Sequence, residues 1–200
     1  MISIGVLASG RGTNLGAIIK AIEKGKIAGK VSIVISDNRN AFALKRAKQH
    51  NIETQYIDFK VFKSREDCDK KIIEYLKEKG VELVVLAGYM RILSPYFIET
   101  YKNKIMNIHP AFLPSFPGLH AQRQAIERGV KFSGCTVHFV DEEIDSGPII
   151  LQKKVRVKDN DTEESLAERI LKVEHQIYPR AIQLFCRGRL IIKEGKVFIK

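Results

Sequence analysis

Asn107 and His109 stand two residues apart in the run KIMNIH at 104–109. On a strand that spacing sends both side chains to the same side and turns Ile108 the other way, into a core. An amide NH2 donates to a developing oxyanion, and an imidazole passes protons near neutral pH. A Pro-rich loop follows at once, with Pro110, Pro114, Pro117 and Gly118. The pair therefore reads either as catalytic groups at a strand end or as satisfied polar groups that hold the loop. Asp145 lies in an acidic loop, 141–147, with Asp141, Glu142 and Glu143. The Ser-Gly-Pro that follows it makes a defined bend. If that bend returns to the strand end, Asp145 meets His109 and stabilises its imidazolium. No Ser or Cys sits in a nucleophile-elbow context, so direct attack of one substrate on another is expected rather than a covalent route.

A second group of candidates follows the first apolar run. Ser9-Gly10-Arg11-Gly12-Thr13-Asn14 forms a glycine-containing turn that opens a helix. Free N–H groups and the helix dipole favour phosphate at such a place, and Arg11 and Thr13 are placed to add contacts. The spacing is neither that of the dinucleotide fingerprint nor that of a P-loop. A plain tight turn is the alternative. Of the other histidines, His120 opens a helix and is expected to bind an anion or cap it. His138 lies in an apolar strand and is expected to be structural. His50 ends a surface helix, and His175 lies inside the long C-terminal helix. No H-x-x-x-H or cysteine pair accompanies them, and no metal is expected.

These residues need a scaffold, and the apolar pattern supplies one. Residues 2–8, 31–35 and 83–87 are short apolar runs of the kind buried on both faces of a sheet. A brief strand near 53–57 joins them. Helical stripes intervene: Leu15, Ile18, Ile19 and Ile22; Ala41, Leu44 and Ala47; Cys68, Ile72, Tyr75 and Leu76. Ser64 and Asp67 give the third helix a cap, and Gly80 closes it. The alternation of strand and helix predicts an α/β chain, Rossmann-like and three-layered, with a largely parallel central sheet. Pro95 starts a short helix. Helix 120–128, strand 132–140 and the half-exposed strand 149–157 follow, the last expected to run antiparallel. A capping box of Asp161 and Glu164 is expected to open the long helix, and Pro179 to kink it or end a turn. Residues 189–199 read as an antiparallel hairpin. We expect one domain over 1–200. Its first half, 1–100, carries the phosphate loop. Its second, 101–200, carries the catalytic residues, the acidic loop, the long helix and the hairpin.

Bulk properties narrow the class. Hydrophobic residues are 44% of the 200, which fits a globular chain and not a disordered one. No apolar run is long enough to span a bilayer, and Met1–Ala8 lacks the basic start of an export signal. The cytoplasm is the expected location. Cys68, Cys135 and Cys186 are odd in number and far apart, so buried thiols are expected rather than a disulfide framework. The net charge of +11 raises the question of nucleic acid. The basic residues, with densest groups at Lys45-Arg46-Lys48, Lys70-Lys71, Lys77-Lys79 and Lys153-Lys154-Arg156-Lys158, lack interleaved stacking aromatics. A solvated basic surface is the expectation, with a small anionic substrate as a further beneficiary.

Five ordered blocks then carry a resemblance over nearly the whole chain: ASGRGTNL at 8–15, SR at 64–65, VVLAGYMRILSP at 84–95, NIHPAFLPSFPGLHA at 107–121 and GCTVHFVDEEIDSGPII at 134–150. The chain resembles the phosphoribosylglycinamide formyltransferases of the folate-dependent formyltransferase family. The resemblance implies transfer of a formyl group from 10-formyltetrahydrofolate to the amine of glycinamide ribonucleotide in purine synthesis. It implies Asn107, His109 and Asp145 as the catalytic trio. Gly12, Thr13 and Asn14 match the segment that binds the phosphate, and Glu174 a residue near the ribose. Arg65, Met90, Arg91, Ile92, Leu93, Asn107, Val140, Asp141, Glu142, Glu143 and Ile144 match the folate side, and His120, Ser115 and Gly118 stand as supporting residues. No metal, nucleic acid or membrane is implied, and a monomer or weak homodimer is expected. Ala111 departs from the Ser that many relatives carry there. Two relatives share the trio. Methionyl-tRNA formyltransferase has a further RNA-binding domain, for which 200 residues leave no room. Formyltetrahydrofolate deformylase has an extra N-terminal domain and no need of the phosphate loop.

Overall fold

The alternation of β-branched runs and helical stripes is realised in a computed structural model that describes all 200 residues. It divides into two compact units, Met1–Met106 and Asn107–Lys200.

In the first unit β1 (Ile2–Leu7), β2 (Gly29–Ser36), β3 (Glu53–Tyr56) and β4 (Leu83–Leu86) are strands, with α1 (Thr13–Glu23), α2 (Phe42–Gln49) and α3 (Arg65–Glu78) between them. The ladders β1–β2, β1–β4 and β2–β3 are all parallel. Every residue of β4 is buried, and so are five of the six in β1. Strands without a solvent face need cover on both sides, which the intervening helices provide. Ile4, Leu7, Leu15, Ile18, Ile33, Ile72, Leu76 and Leu83 form this core at under 2% exposure. Each such side chain contributes roughly 1.5–3 kcal/mol by leaving water. Ser64 caps α3 as expected, accepting from the Asp67 amide at 3.1 Å. A short helix, α4 (Pro95–Thr100), is capped by the Ser94 hydroxyl and leads to β5 (Ile105–His109).

The second unit holds the end of β5, then α5 (Ala121–Glu127), β6 (Phe132–Phe139), β7 (Ile149–Arg156), α6 (Glu163–Cys186), β8 (Leu190–Lys193) and β9 (Lys196–Ile199). β6 and β7 pair antiparallel. The strand order is β3-β2-β1-β4-β5-β6-β7, a seven-stranded and mostly parallel sheet, and β8–β9 is a separate antiparallel hairpin. β7 is therefore an edge, and Lys153, Lys154 and Arg156 on it are exposed. Glu194 and Gly195 both have positive φ, the backbone of a tight hairpin turn that matches strand twist.

Three expectations about the second half change. The capping box of α6 is Thr162 with Ser165, not Asp161 with Glu164. The Thr162 hydroxyl accepts from the Ser165 amide at 3.2 Å, and the Ser165 hydroxyl accepts from the Thr162 amide at 3.0 Å. Asp161 lies just outside the helix and gathers the Arg169 guanidinium, the Lys158 amide and the Ser165 hydroxyl on its carboxylate. Of the two outcomes expected at Pro179, a kink or the end of a turn, the second is not realised: α6 continues through it to Cys186. Cys186 is half-buried rather than buried, while Cys68 and Cys135 are fully enclosed.

Candidate active site

β5 delivers Asn107 and His109, and the loop between β6 and β7 brings Asp145 back to them. His109 is 5% exposed. Its Nδ1 lies 3.2 Å from Asp145 Oδ2, and its Nε2 lies 2.8 Å from the Phe116 carbonyl oxygen. The Phe116 carbonyl only accepts, so Nε2 donates to it, while Nδ1 faces the Asp145 carboxylate as an ion-pair contact.

Asp145 is held from several directions. Gly118 donates its amide to Oδ2 at 2.9 Å, and Asn107 Nδ2 approaches Oδ1 at 3.4 Å. Burial on its own would raise the Asp145 carboxyl. The His138 side chain, the Gly118 amide and the charges of His109 and His138 more than offset it and hold the group below its usual range. His138 was expected to be structural. Its ring is buried, but Nε2 reaches within 3.3 Å of Asn107 Nδ2 and 3.6 Å of Asp145 Oδ1, while Nδ1 donates to the Phe139 carbonyl at 2.8 Å. Asn107 Nδ2 is thus within hydrogen-bond reach of both His138 Nε2 and Asp145 Oδ1.

Local sequence explains why the loop returns. The register of β6 on β7 shifts between Val137 and His138, a bulge of the kind that re-aims a side chain. Phe139 donates to the Pro148 carbonyl at 2.9 Å and closes the loop base. At Gly147 a Cβ would lie 1.9 Å from the Phe139 carbonyl oxygen, so only glycine fits. The Ser146 hydroxyl ties to Asp141 at 2.7 Å. On the other side, Thr136 clamps the Pro-rich loop. Its hydroxyl donates to the Ala111 carbonyl at 2.8 Å and accepts from the Leu113 amide at 3.1 Å, and Gln152 bonds both Thr136 and the Leu113 carbonyl. Ala111 itself is fully buried. Phe116, His120 and Asp145 all take positive φ, and such strained residues gather at functional sites.

The remaining candidates are placed as follows. Gly12 is the residue before α1, at φ +65°, and a Cβ there would meet the Ala43 backbone at 2.7 Å. No side chain caps this helix and no acidic residue lies in its first turn, which leaves its N–H groups suited to an anion. Thr13 is half-buried and Asn14 buried. Met90 and Ile92 are exposed (68% and 57%) while Leu93 is buried, so the turn presents two apolar side chains to solvent. Arg91 stacks over the Phe59 ring. Arg65, first residue of α3, is exposed. In the second unit Glu174 is buried on α6. Burial, then the Glu174 charge, pushes the Cys135 thiol up to about 12. Glu142, Glu143 and Ile144 are exposed at the loop tip, with Val140 and Asp141 half-buried. Gly118 joins the cluster through its amide, but Ser115 is an exposed turn residue. His120 makes no side-chain cap and faces Glu163 at 3.5 Å instead. No group of His, Cys, Asp and Glu side chains is arranged to hold a metal ion. No helix is long and apolar enough to cross a membrane.

Sequence reasoning did not place His138 or the Phe116 carbonyl in the cluster. An imidazole within the otherwise apolar strand VHFV, just before the acidic loop, was the available signal for the first. Nothing in the sequence marks a backbone carbonyl.

A mostly parallel sheet with a buried imidazole–carboxylate pair at one strand end defines a class. Residues 2–182 match the formyl transferase family, and the chain belongs to it. It is 45% identical over 197 residues to the phosphoribosylglycinamide formyltransferase of Escherichia coli (strain K12), covering 98% of this chain and 93% of that one. Glycinamide ribonucleotide transformylase 1 from Symbiobacterium toebii superposes with a TM-score of 0.98 at 51% identity, covering 100% of this chain and 94% of that one. A formyltetrahydrofolate deformylase from Pseudomonas syringae pv. tomato is more distant in sequence, at 29% identity and a TM-score of 0.91, covering 99% of this chain and 65% of that one.

Proposed function

We propose that the chain transfers the formyl group of 10-formyltetrahydrofolate to the amine of glycinamide ribonucleotide, giving formylglycinamide ribonucleotide and tetrahydrofolate in purine biosynthesis. The observation that carries the reading is the buried His109 ring, held between the Asp145 carboxylate and the Phe116 carbonyl beside Asn107 on the same strand. The amine attacks the formyl carbon, and a C–N bond forms as the carbonyl electrons move to oxygen. The imidazolium of His109 and the amide of Asn107 stabilise that oxyanion. To do so, His109 Nε2–H exchanges the Phe116 carbonyl, and one Asn107 amide hydrogen its partner in the cluster, for the substrate oxygen. The bond to folate N10 then breaks, and the proton lost by the amine ends on N10. Asp145 keeps His109 cationic throughout.

The ribonucleotide phosphate is assigned to the start of α1 at Gly12, Thr13 and Asn14, and its ribose to Glu174. Folate is assigned to Arg65, Met90, Arg91, Ile92 and Leu93, and to the backbone of 140–145. Two anionic substrates give the positive surface one use. The reading includes a cytoplasmic location and a monomer or weak homodimer.

The test mixes the protein with 10-formyltetrahydrofolate, with and without glycinamide ribonucleotide. Tetrahydrofolate release only when the ribonucleotide is present is the expected result. Release without it would replace this reading by hydrolysis, the reaction named for the Pseudomonas syringae relative.

A further inference from the structure

Asp69 is a carboxylate that the reaction above does not use. It lies on α3 at 2% exposure, a place where an acidic side chain survives only with partners. Its Oδ2 accepts from the backbone amide of Ser94 at 2.6 Å, a bond that joins residues 25 apart in sequence. Burial raises the Asp69 carboxyl above its usual range, and the Ser94 amide, the Ser94 hydroxyl and the charges of Arg65 and Arg91 offset only part of that cost. Ser94 is in turn the cap of α4, accepting from the Phe97 amide at 3.3 Å. Asp69 thus grips the residue at which the turn 88–94 ends.

The other end of that turn is also gripped. Ser9, two residues past the end of β1, donates its amide to the Gly88 carbonyl at 2.9 Å and accepts from the Met90 amide on its hydroxyl at 2.9 Å. Between the two grips the chain presents exposed Met90 and Ile92, with Leu93 tucked beneath. Exposed apolar side chains hold a fixed position only if their backbone is fixed from behind.

We propose that Asp69 is a positioning residue for the folate donor: a buried carboxylate that fixes the turn Gly88–Ser94 so that Met90 and Ile92 form a preset wall for a flat, apolar ring. The proposal rests on the assignment of folate to this turn made above. Fixing the wall in advance lowers the ordering cost of binding, so its loss falls on donor affinity. The ribonucleotide's own grip does not depend on it.

The test uses Asp69→Ala and the isosteric Asp69→Asn, which keeps one acceptor for Ser94 but loses the charge. Amide hydrogen exchange is measured without ligand, and both Michaelis constants and kcat are measured in the transfer assay. Expected are faster exchange across 88–94 with β1 and β2 unchanged, and a folate KM raised about tenfold or more in Asp69→Ala. The rise should be smaller in Asp69→Asn, with the ribonucleotide KM within about twofold of the parent's. If Asp69→Ala does not fold, Asp69→Asn carries the same comparison. Unchanged exchange across 88–94 overturns the grip. Faster exchange with an unchanged folate KM, or equal rises in both Michaelis constants, overturns the link to the donor. A parent protein that transfers no formyl group sinks the proposed reaction instead, and exchange alone then decides whether Asp69 holds the turn.

Discussion

Nδ1 of His109 lies 3.2 Å from Oδ2 of Asp145, with the two side chains only 6% and 10% exposed. Water screens such a pair weakly. Replacing Asp145 by Asn removes the carboxylate that the His109 ring faces. Asp145→Asn and His109→Ala should each lower kcat by roughly 10²–10³. Asn107→Ala should fall in the same range. Steady-state kinetics with both substrates saturating reads this directly, and near-normal turnover by His109→Ala would remove it from the chemistry.

Acid should weaken the fold through two carboxylates. Asp145 and Asp161 both sit below the ordinary 3.8 when folded, Asp161 chiefly through the Arg169 guanidinium and then the Lys158 amide and Ser165 hydroxyl. A folded value below the unfolded one means stabilisation that is complete above about pH 4 and lost as pH falls through the folded value. Asp161→Asn should therefore be less stable than the parent at pH 7, and the two should converge below about pH 4. Urea melts across that range test it; a constant gap would refute the assignment.

Thr136→Val should destabilise by about 1–3 kcal/mol, because it strands the Leu113 amide and the Ala111 carbonyl inside the protein. Denaturant unfolding measures the loss. Since the clamp lies under the loop that carries Phe116 and Gly118, kcat should fall as well.

Gly12→Ala meets two obstacles at once, a φ of +65° and the Ala43 backbone at 2.7 Å. We expect a loss of roughly 1–3 kcal/mol in stability. A raised KM for the ribonucleotide should accompany it, with the folate KM little changed. A variant with normal ribonucleotide KM would separate this turn from phosphate binding.

Much of this was legible before any coordinates. Period and composition pointed to the strands of the first unit because buried parallel strands are written as short apolar runs, such as 83–87. Asn107 and His109 could be paired from strand alternation alone. Asp145 was reachable only as a conditional, since the closure of its loop depends on the Phe139–Pro148 pairing and on space that exists only at Gly147. The capping box was misjudged by one residue because Asp161 and Thr162 are both good caps, and Arg169 claims the first. His138 looked like core because a strand position gives the side of a side chain and not what it meets there. Helix α6 runs on through Pro179, which local propensity alone argues against.

The outermost strand has its own consequence. β7 ends the sheet, and its unpaired backbone edge is a template on which another strand of the same protein could dock. Lys153, Lys154 and Arg156 line it in the open. A second molecule approaching edge to edge brings the same cations, and the two rows repel. Three of the cations behind the net charge of +11 thus oppose edge-to-edge pairing of two β7 strands, an effect that involves no ligand.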